Sequence, residues 1–156
     1  MKGVIGAVTV MACCFILGKK VTEKEKNSIL MLDEIILLFG CIQSGISSSL
    51  LPLPEIYESF SCKSSAGKEF EYTLKSQGLQ KALETVSLPA CAEDIIFETA
   101  STLGRLDSST QCERLGRAVE RLSELRDTCK AETAGRTKSI EAIFSLAGAL
   151  AIILMF

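Results

Sequence analysis

The fold is decided by one apolar stretch, SILMLDEIILLFGCI, at residues Ser28–Ile42. Its large apolar residues recur at alternating steps of three and four, which places them on one face of a helix, close to the pattern of a coiled-coil seam. Further apolar residues widen that face, so we expect this helix to be buried on more than one side, inside a helical bundle or against a second copy of the chain. The face consists of Ile29, Leu32, Ile36, Phe39 and Ile42 (or Gln43), and the residues that widen it are Leu30, Met31, Ile35, Leu37 and Leu38.

Both ends of this helix carry local signals. Thr22 and Glu25 have the spacing of a capping box, in which a threonine caps a helix and a glutamate three residues later reaches back to it. They predict that a helix starts at Thr22. Gly45 and the three serines at residues 47–49 predict where it stops.

The following segments are also helical by pattern. Pro54 and Glu55 are typical of a first helical turn, where a missing N–H costs nothing and a negative charge is favoured. Residues 69–86 read as a weak helix that Gly78 interrupts. A further helix follows and ends at Gly104, which suits a left-handed cap.

The last helix of the middle region begins at residues 107–109. No proline separates it from the apolar C-terminus, so the two can run on as one long helix with Gly135 as its weak point. We predict an all-α fold, a helical bundle of about five helices between two short transmembrane helices. The apolar stripe of this last helix consists of Leu115, Val119 (or Ala118), Leu122, Leu125 and Cys129.

Both ends of the chain are apolar. Residues 3–18 carry no charge and are followed at once by Lys19 and Lys20, and residues 140–156 carry only Glu141. As helices these segments span about 25 Å, somewhat less than a hydrocarbon core of about 30 Å. For the N-terminal segment, the alternatives are a cleaved or lipid-modified signal and a buried helix. We predict transmembrane helices at residues 1–20 and 139–156, with a helical domain at 21–138.

The charges that flank the two ends orient the chain. The cations lie mostly on the side of the middle region, and only Lys2 and the amino terminus oppose them, so the positive-inside rule places the middle region in the cytoplasm. The cysteines agree with this placement. They are odd in number at seven, form no Cys-x-x-Cys pair and are scattered singly apart from Cys13 and Cys14, so we expect small buried residues whose thiols persist in a reducing compartment. The cations on the middle side are Lys19, Lys20, Lys24, Lys26, Arg136 and Lys138.

The composition argues against several chemistries. The chain has no histidine, which removes the usual general base, the histidine-dependent nucleophile pairs and most zinc sites. The formal net charge of −2 provides no basic surface for nucleic acid. We predict no catalytic, metal-binding or cofactor-binding residues, no cofactor and no enzymatic activity.

One turn, TLGRLDSSTQCERL at residues 102–115, combines several signals. Gly104 ends one helix, Asp107 or Ser108 caps the next, and Gln111 follows Ser108 at the spacing of a capping box. The structural interpretation is a helix hairpin turn. The functional interpretation is a docking corner for a partner protein.

At these residues the chain resembles the stage III sporulation protein AB family. LGRLDSSTQ resembles that family's Leu-Gly-x-x-Asp-x-x-x-Gln turn, LLPLPE at residues 50–55 resembles its Pro-Leu-Pro segment, and the two apolar ends are similar to its ends. The likeness covers nearly the whole chain in the same order. The family tends to carry acidic residues before the Pro-Leu-Pro segment, where this chain has IQSGISSS, which puts an acidic contact there in doubt.

The resemblance implies a role in a membrane complex that links mother cell and forespore. The family resembles a reduced inner-membrane platform protein of type II secretion and type IV pilus machines. The implied partners are a secretion-type ATPase (stage III sporulation protein AA) on the mother-cell cytosolic side and the other membrane components of the complex. A second copy of the chain is a further candidate partner, on the separate ground of the wide apolar face at residues 28–42. Family likeness and turn exposure indicate a contact surface at Pro52, Leu53, Pro54, Glu55, Leu103, Gly104, Arg105, Asp107 and Gln111.

Two other function classes are alternatives to this platform role. A small pore or holin-like protein would use the two short apolar helices, although neither has a polar stripe to line a channel. A membrane enzyme or thiol-redox protein would need an activated nucleophile without help from histidine.

Overall fold

A computed structural model of the chain describes the backbone of residues 2–48 and 51–155, and the side chains of residues 20, 23–48, 51–65, 67–136, 139, 142 and 143. All regular structure in these residues is helical, which confirms the all-α part of the predicted fold. The elements are α1 (Lys2–Ser48), α2 (Leu53–Ser59), a 3-10 turn (Ser65–Gly67), α3 (Lys68–Gln77), α4 (Leu79–Glu84), α5 (Ala90–Thr102) and α6 (Ser108–Met155).

The chain divides into two compact units. One unit is formed by Met1–Lys26 together with Lys130–Phe156, and the other by Asn27–Cys129. In the first unit an ion pair between Arg136 Nη1 and Glu25 Oε1, 3.4 Å apart, joins the two long helices. Both side chains of this pair are solvent-accessible, so it contributes little to stability.

The predicted helix start at Thr22 is wrong, because α1 continues through this position from Lys2 to Ser48. No glycine or proline lies between Lys19 and Glu25, so nothing in the backbone stops the helix before the capping residues. The option of one long C-terminal helix is confirmed, since α6 passes through Gly135 without a break.

The predicted transmembrane helices at residues 1–20 and 139–156 are helical in their described backbone, but most of their side chains lie outside the described set. Among the described residues, one helical segment, Glu23–Ser48, is long and apolar enough to cross a membrane. The most apolar 18 residues of this segment are 56% buried within the protein. The core helix of a bundle has the same length and composition, so these two properties do not distinguish it from a membrane-spanning helix.

The core of the Asn27–Cys129 unit forms around the C-terminal half of α1. Leu32, Phe39 and Ile42 are fully buried, as the stripe predicted, while Ile36 is half-buried. The bundle therefore covers most of the wide apolar face of α1. Other helices contribute fully buried side chains at Phe70, Leu74, Leu83, Ile96, Leu115 and Leu122.

Gly78 separates α3 from α4, as predicted. Its backbone has φ 87° and ψ 176°, a region that essentially only glycine occupies. The N–H of Gly78 donates to the carbonyl of Leu74, and its own carbonyl accepts from Ala82, so the chain closes one helix and opens the next at a single residue.

Candidate docking corner

The structure brings together the two segments that the sequence indicated as contact regions. A Cβ atom at Gly104 would lie 3.6 Å from Leu53 Cδ1, which is ordinary van der Waals contact. Leu53, Leu103 and Arg105 line one open groove of about 300 Å³, which we call the corner groove. Its other lining residues are Tyr57, Gln77, Gly78, Leu79, Gln80, Ala100 and Ser101.

One half of the corner is the start of α2. Pro52 is extended (φ −66°, ψ 143°), and its carbonyl accepts from the N–H groups of Glu55 and Ile56 at 3.0 and 3.4 Å. Pro54 lies in the first helical turn, where its missing N–H leaves no bond unmade. Pro52, Pro54 and Glu55 are exposed, and Leu53 is half-buried against the groove.

Ile56 anchors this half to α1. It is buried, and a Cβ atom at Gly45 would lie only 2.6 Å from Ile56 Cδ1. The absence of a side chain at Gly45 therefore allows α2 to approach α1 closely. The N–H of Leu51 also donates to the Gly45 carbonyl at 3.3 Å.

The other half of the corner is a tight turn after α5. Leu103 is extended (φ −61°, ψ 132°), Gly104 follows with φ 77°, and the Arg105 N–H donates to the Thr102 carbonyl at 3.3 Å. These are the features of a type II β-turn, which needs positive φ at its third residue. The turn confirms the predicted left-handed glycine and leaves Gly104 and Arg105 exposed.

Asp107 caps α6. Its carboxylate accepts from the Ser109 hydroxyl and, at 3.1 Å, from the Thr110 N–H. The bonds from the Ser109 and Thr110 side chains and from the Thr110 N–H lower the pKa of Asp107 to about 2. Asp107 rather than Ser108 is thus the residue whose side chain caps the helix.

Gln111 does not form the predicted capping box with Ser108, because Ser108 is already inside the helix. Instead its Nε2 donates to the carbonyl of Leu106 at 2.7 Å, and the residue is only 8% exposed. Gln111 therefore holds the turn from the inside, whereas the other predicted contact residues reach the surface to different degrees.

Charge and polarity vary across the corner. Arg105 is exposed, and its guanidinium makes no hydrogen bond or ion pair with the part of the chain that the structure describes. Tyr57 is half-buried in the groove, and burial raises the pKa of its phenol, which is therefore neutral at physiological pH. The corner thus offers an exposed cation beside the apolar side chains of Leu53 and Leu103.

A second groove, which the sequence analysis did not single out, lies between α5 and α6. It has a volume of about 540 Å³ and contains Arg114, Arg117 and Arg121, and we call it the arginine groove. The spacing of three and four places these arginines on one face of α6, so the sequence did carry the signal. Glu98 and Glu120 also line it, and Arg117 pairs with Glu113 at 3.3 Å.

A buried carboxylate was also missed. Glu34 is 4% exposed, and its Oε1 accepts from the N–H groups of Lys63 and Ser64, both at 2.8 Å. Its Oε2 has no hydrogen-bond partner among the described residues. Nearby, Glu71 Oε2 accepts from the Cys62 N–H at 2.9 Å, so two carboxylates hold the loop after α2.

The predicted burial of every cysteine is wrong for the five whose side chains are described. Cys41 and Cys91 are exposed, and the other three are half-buried. Burial, together with Glu34 and Glu71, raises the pKa of Cys62 to about 11, so that thiol stays protonated. Cys13 and Cys14 lie outside the described side chains.

The cysteines are also not all isolated in space. Cys91 Sγ and Cys129 Sγ are 3.5 Å apart. Across the described part of the chain, no three residues of the types His, Cys, Asp and Glu are grouped so that they could hold a metal ion.

Comparison with known proteins identifies the family. A family model described as stage III sporulation protein AB matches residues 3–156, and the chain therefore belongs to this family, as its motifs predicted. No curated protein and no solved structure matches the chain. The chain is thus a stage III sporulation protein, and the apolar Glu23–Ser48 segment together with the family suggests association with a membrane.

Proposed function

From this family membership we propose that the chain is a non-enzymatic platform of a secretion-like complex between mother cell and forespore. It docks a cytosolic secretion-type ATPase, the stage III sporulation protein AA type, through the corner groove. Docking needs no cofactor, only an exposed surface of fixed shape.

The groove that Leu53 lines together with Leu103 and Arg105 is the observation that supports this proposal most directly. Two segments far apart in the sequence build one exposed surface, and both carry the motifs that resemble the family. The surface combines a half-buried leucine wall with the exposed cation of Arg105. Apolar walls beside charged rims are the usual anatomy of a protein interface.

The proposed membrane arrangement rests on the two ends of the chain. Residues 1–20 and 139–156 form the transmembrane helices, and residues 21–138 lie in the mother-cell cytosol, on the membrane that faces the forespore. The cations that follow residue 18 and precede residue 139 support this orientation. A packed helical domain favours the platform over a pore or holin-like protein, which would have no use for it.

Charge reversal tests the docking surface. Arg105→Glu inverts an exposed charge on the corner, and we expect it to weaken binding of the ATPase about tenfold, or about 1.4 kcal/mol, because repulsion replaces charge complementarity. Lys68→Glu is the matched control, because Lys68 is also an exposed cation but lines neither groove. Asp107 is unsuitable for reversal, since its carboxylate caps α6.

Equal binding by both variants, with helicity unchanged by circular dichroism, would place the ATPase contact elsewhere. A loss in Lys68→Glu as large as in Arg105→Glu would show that binding follows net charge rather than the corner.

Thiol labelling tests the orientation. Cys41 and Cys91 are exposed, so a membrane-impermeant maleimide should label them in permeabilised cells and not in intact cells. Cys62 is a poor reporter because its thiol stays protonated. Labelling in intact cells would place the domain outside the cytosol and overturn the ATPase-docking proposal.

A further inference from the structure

Two thiols that are distant in the sequence meet on the surface of the Asn27–Cys129 unit. Cys91 lies in the first turn of α5 and Cys129 in α6, 38 positions later, with their sulfur atoms 3.5 Å apart. A disulfide bond has a length of about 2.0 Å, so the sulfur atoms need to approach by about 1.5 Å. An approach of this size is small beside the distance that a change of side-chain rotamer moves a sulfur atom.

This pair is also accessible. Cys91 is exposed, so a small oxidant in solution reaches its sulfur atom directly, and Cys129 is half-buried beside it. Two of the three other described cysteines have different surroundings. Cys62 has a raised pKa that keeps it protonated, and Cys112 directs its Sγ toward the Gln43 carbonyl at 3.7 Å.

We infer that Cys91 and Cys129 form a redox modification site whose reactant is a hydroperoxide. The Cys91 thiolate attacks the terminal peroxide oxygen, so that an S–O bond forms and the O–O bond breaks. Hydroxide (from hydrogen peroxide) or alkoxide (from an organic hydroperoxide) leaves and is protonated to water or alcohol. The Cys129 thiol then attacks the sulfenic sulfur of Cys91. An S–S bond forms, the S–O bond breaks and water leaves, so two thiols are oxidised and one hydroperoxide is reduced.

The resulting disulfide links the start of α5 to α6. It closes a segment that contains the type II turn at Leu103 and Gly104 and three arginines of the arginine groove. Oxidation therefore clamps the two helices between which that groove lies. A dithiol reductant reverses the clamp by thiol–disulfide exchange.

Peptide mapping of the folded full-length chain tests this inference. The purified protein is treated with hydrogen peroxide, its remaining thiols are alkylated, and it is digested with trypsin. We expect residues 82–105 and 127–130 to appear as one linked peptide that lacks two hydrogens and separates on reduction. Its yield should exceed that of any other cysteine pair at least tenfold.

Two variants and a trap make the test specific. Dimedone captures sulfenic acids, so Cys129→Ser should accumulate a dimedone adduct at Cys91, whereas wild-type protein should show at least tenfold less. Cys41→Ser is the matched control, because it removes an exposed cysteine outside the pair and should leave the linked peptide unchanged. The inference is overturned if Cys91 proceeds to sulfinic acid while Cys129 stays alkylatable, or if crosslinks form mainly between chains.

Discussion

Removal of the Glu34 carboxylate should lower the free energy of unfolding of the domain more than removal of an exposed, unbonded carboxylate does. Glu34 lies in the most buried part of α1, and its Oε1 accepts two backbone N–H groups from the loop after α2. A hydrogen bond to a charged group contributes about 1.5–3 kcal/mol, so the two bonds together set an upper range of about 3–6 kcal/mol. Because Lys63 is exposed and Ser64 half-buried, water replaces part of the loss, and we expect about 3 kcal/mol for Glu34→Ala.

Glu34→Gln separates charge from shape. The glutamine keeps the volume and one acceptor oxygen, but its bonds to the two N–H groups are weaker because the acceptor is neutral. Its amide nitrogen also takes the place of Oε2, which has no partner among the described residues. We expect a loss of about 1–2 kcal/mol, between wild type and Glu34→Ala.

Urea unfolding of the full-length chain, followed by circular dichroism, measures these losses. With a slope of about 1–3 kcal/mol per molar urea, a loss of about 3 kcal/mol moves the midpoint by roughly 1–3 M. Glu124→Ala is the control, because Glu124 is exposed on α6 and should change stability by less than about 0.5 kcal/mol. A Glu34→Ala loss no larger than that of the control would refute the assignment of Glu34 as the anchor of this loop.

Further variants test the backbone and the cap. Gly78→Ala should cost about 2 kcal/mol and Gly104→Ala about 1 kcal/mol in urea unfolding, since both have positive φ but only Gly78 adopts a region closed to other residues. Gly45→Ala should lower the melting temperature, and Ile56→Val in the same chain should restore part of it by removing the atom that the new methyl group meets at 2.6 Å. The pKa of Asp107 is about 2 in the folded chain, against an ordinary value of 3.8. The contribution of its carboxylate to stability is therefore present above pH 3.8 and is lost as the pH falls toward 2. Asp107→Asn should lack this dependence in acid unfolding curves.

The sequence predicted those features that depend on local backbone requirements. Gly78 and Gly104 occupy conformations that other residues avoid, and Pro54 fits a first helical turn. Each of these residues therefore marks a helix boundary independently of tertiary contacts. The capping signal at Thr22 gave a wrong helix start because it too is purely local. It describes a favourable start, but it does not state whether the preceding residues have stopped being helical.

Features made by tertiary packing were not predictable from such signals. Glu34 stands within an apolar run, and its partners are backbone N–H groups, which no side-chain pattern reveals. Cys91 and Cys129 meet only because α5 packs beside α6. Both halves of the corner were indicated by their motifs, whereas their contact through Leu53 depends on the fold.

The shape of the corner groove depends on the packing of α5. Ala100 and Leu103 line the corner groove, and the neighbouring Thr102 lines the arginine groove, so this one helix forms a wall of both. Ile96 is the large side chain of α5 that is fully buried. Its truncation would disturb both walls at once. The guanidinium of Arg105 is exposed and pairs with no described residue, so its reversal alters the surface and leaves the packing of α5 intact. A loss of ATPase binding in Arg105→Glu therefore reports on docking, whereas the same loss in an Ile96 variant would report on folding.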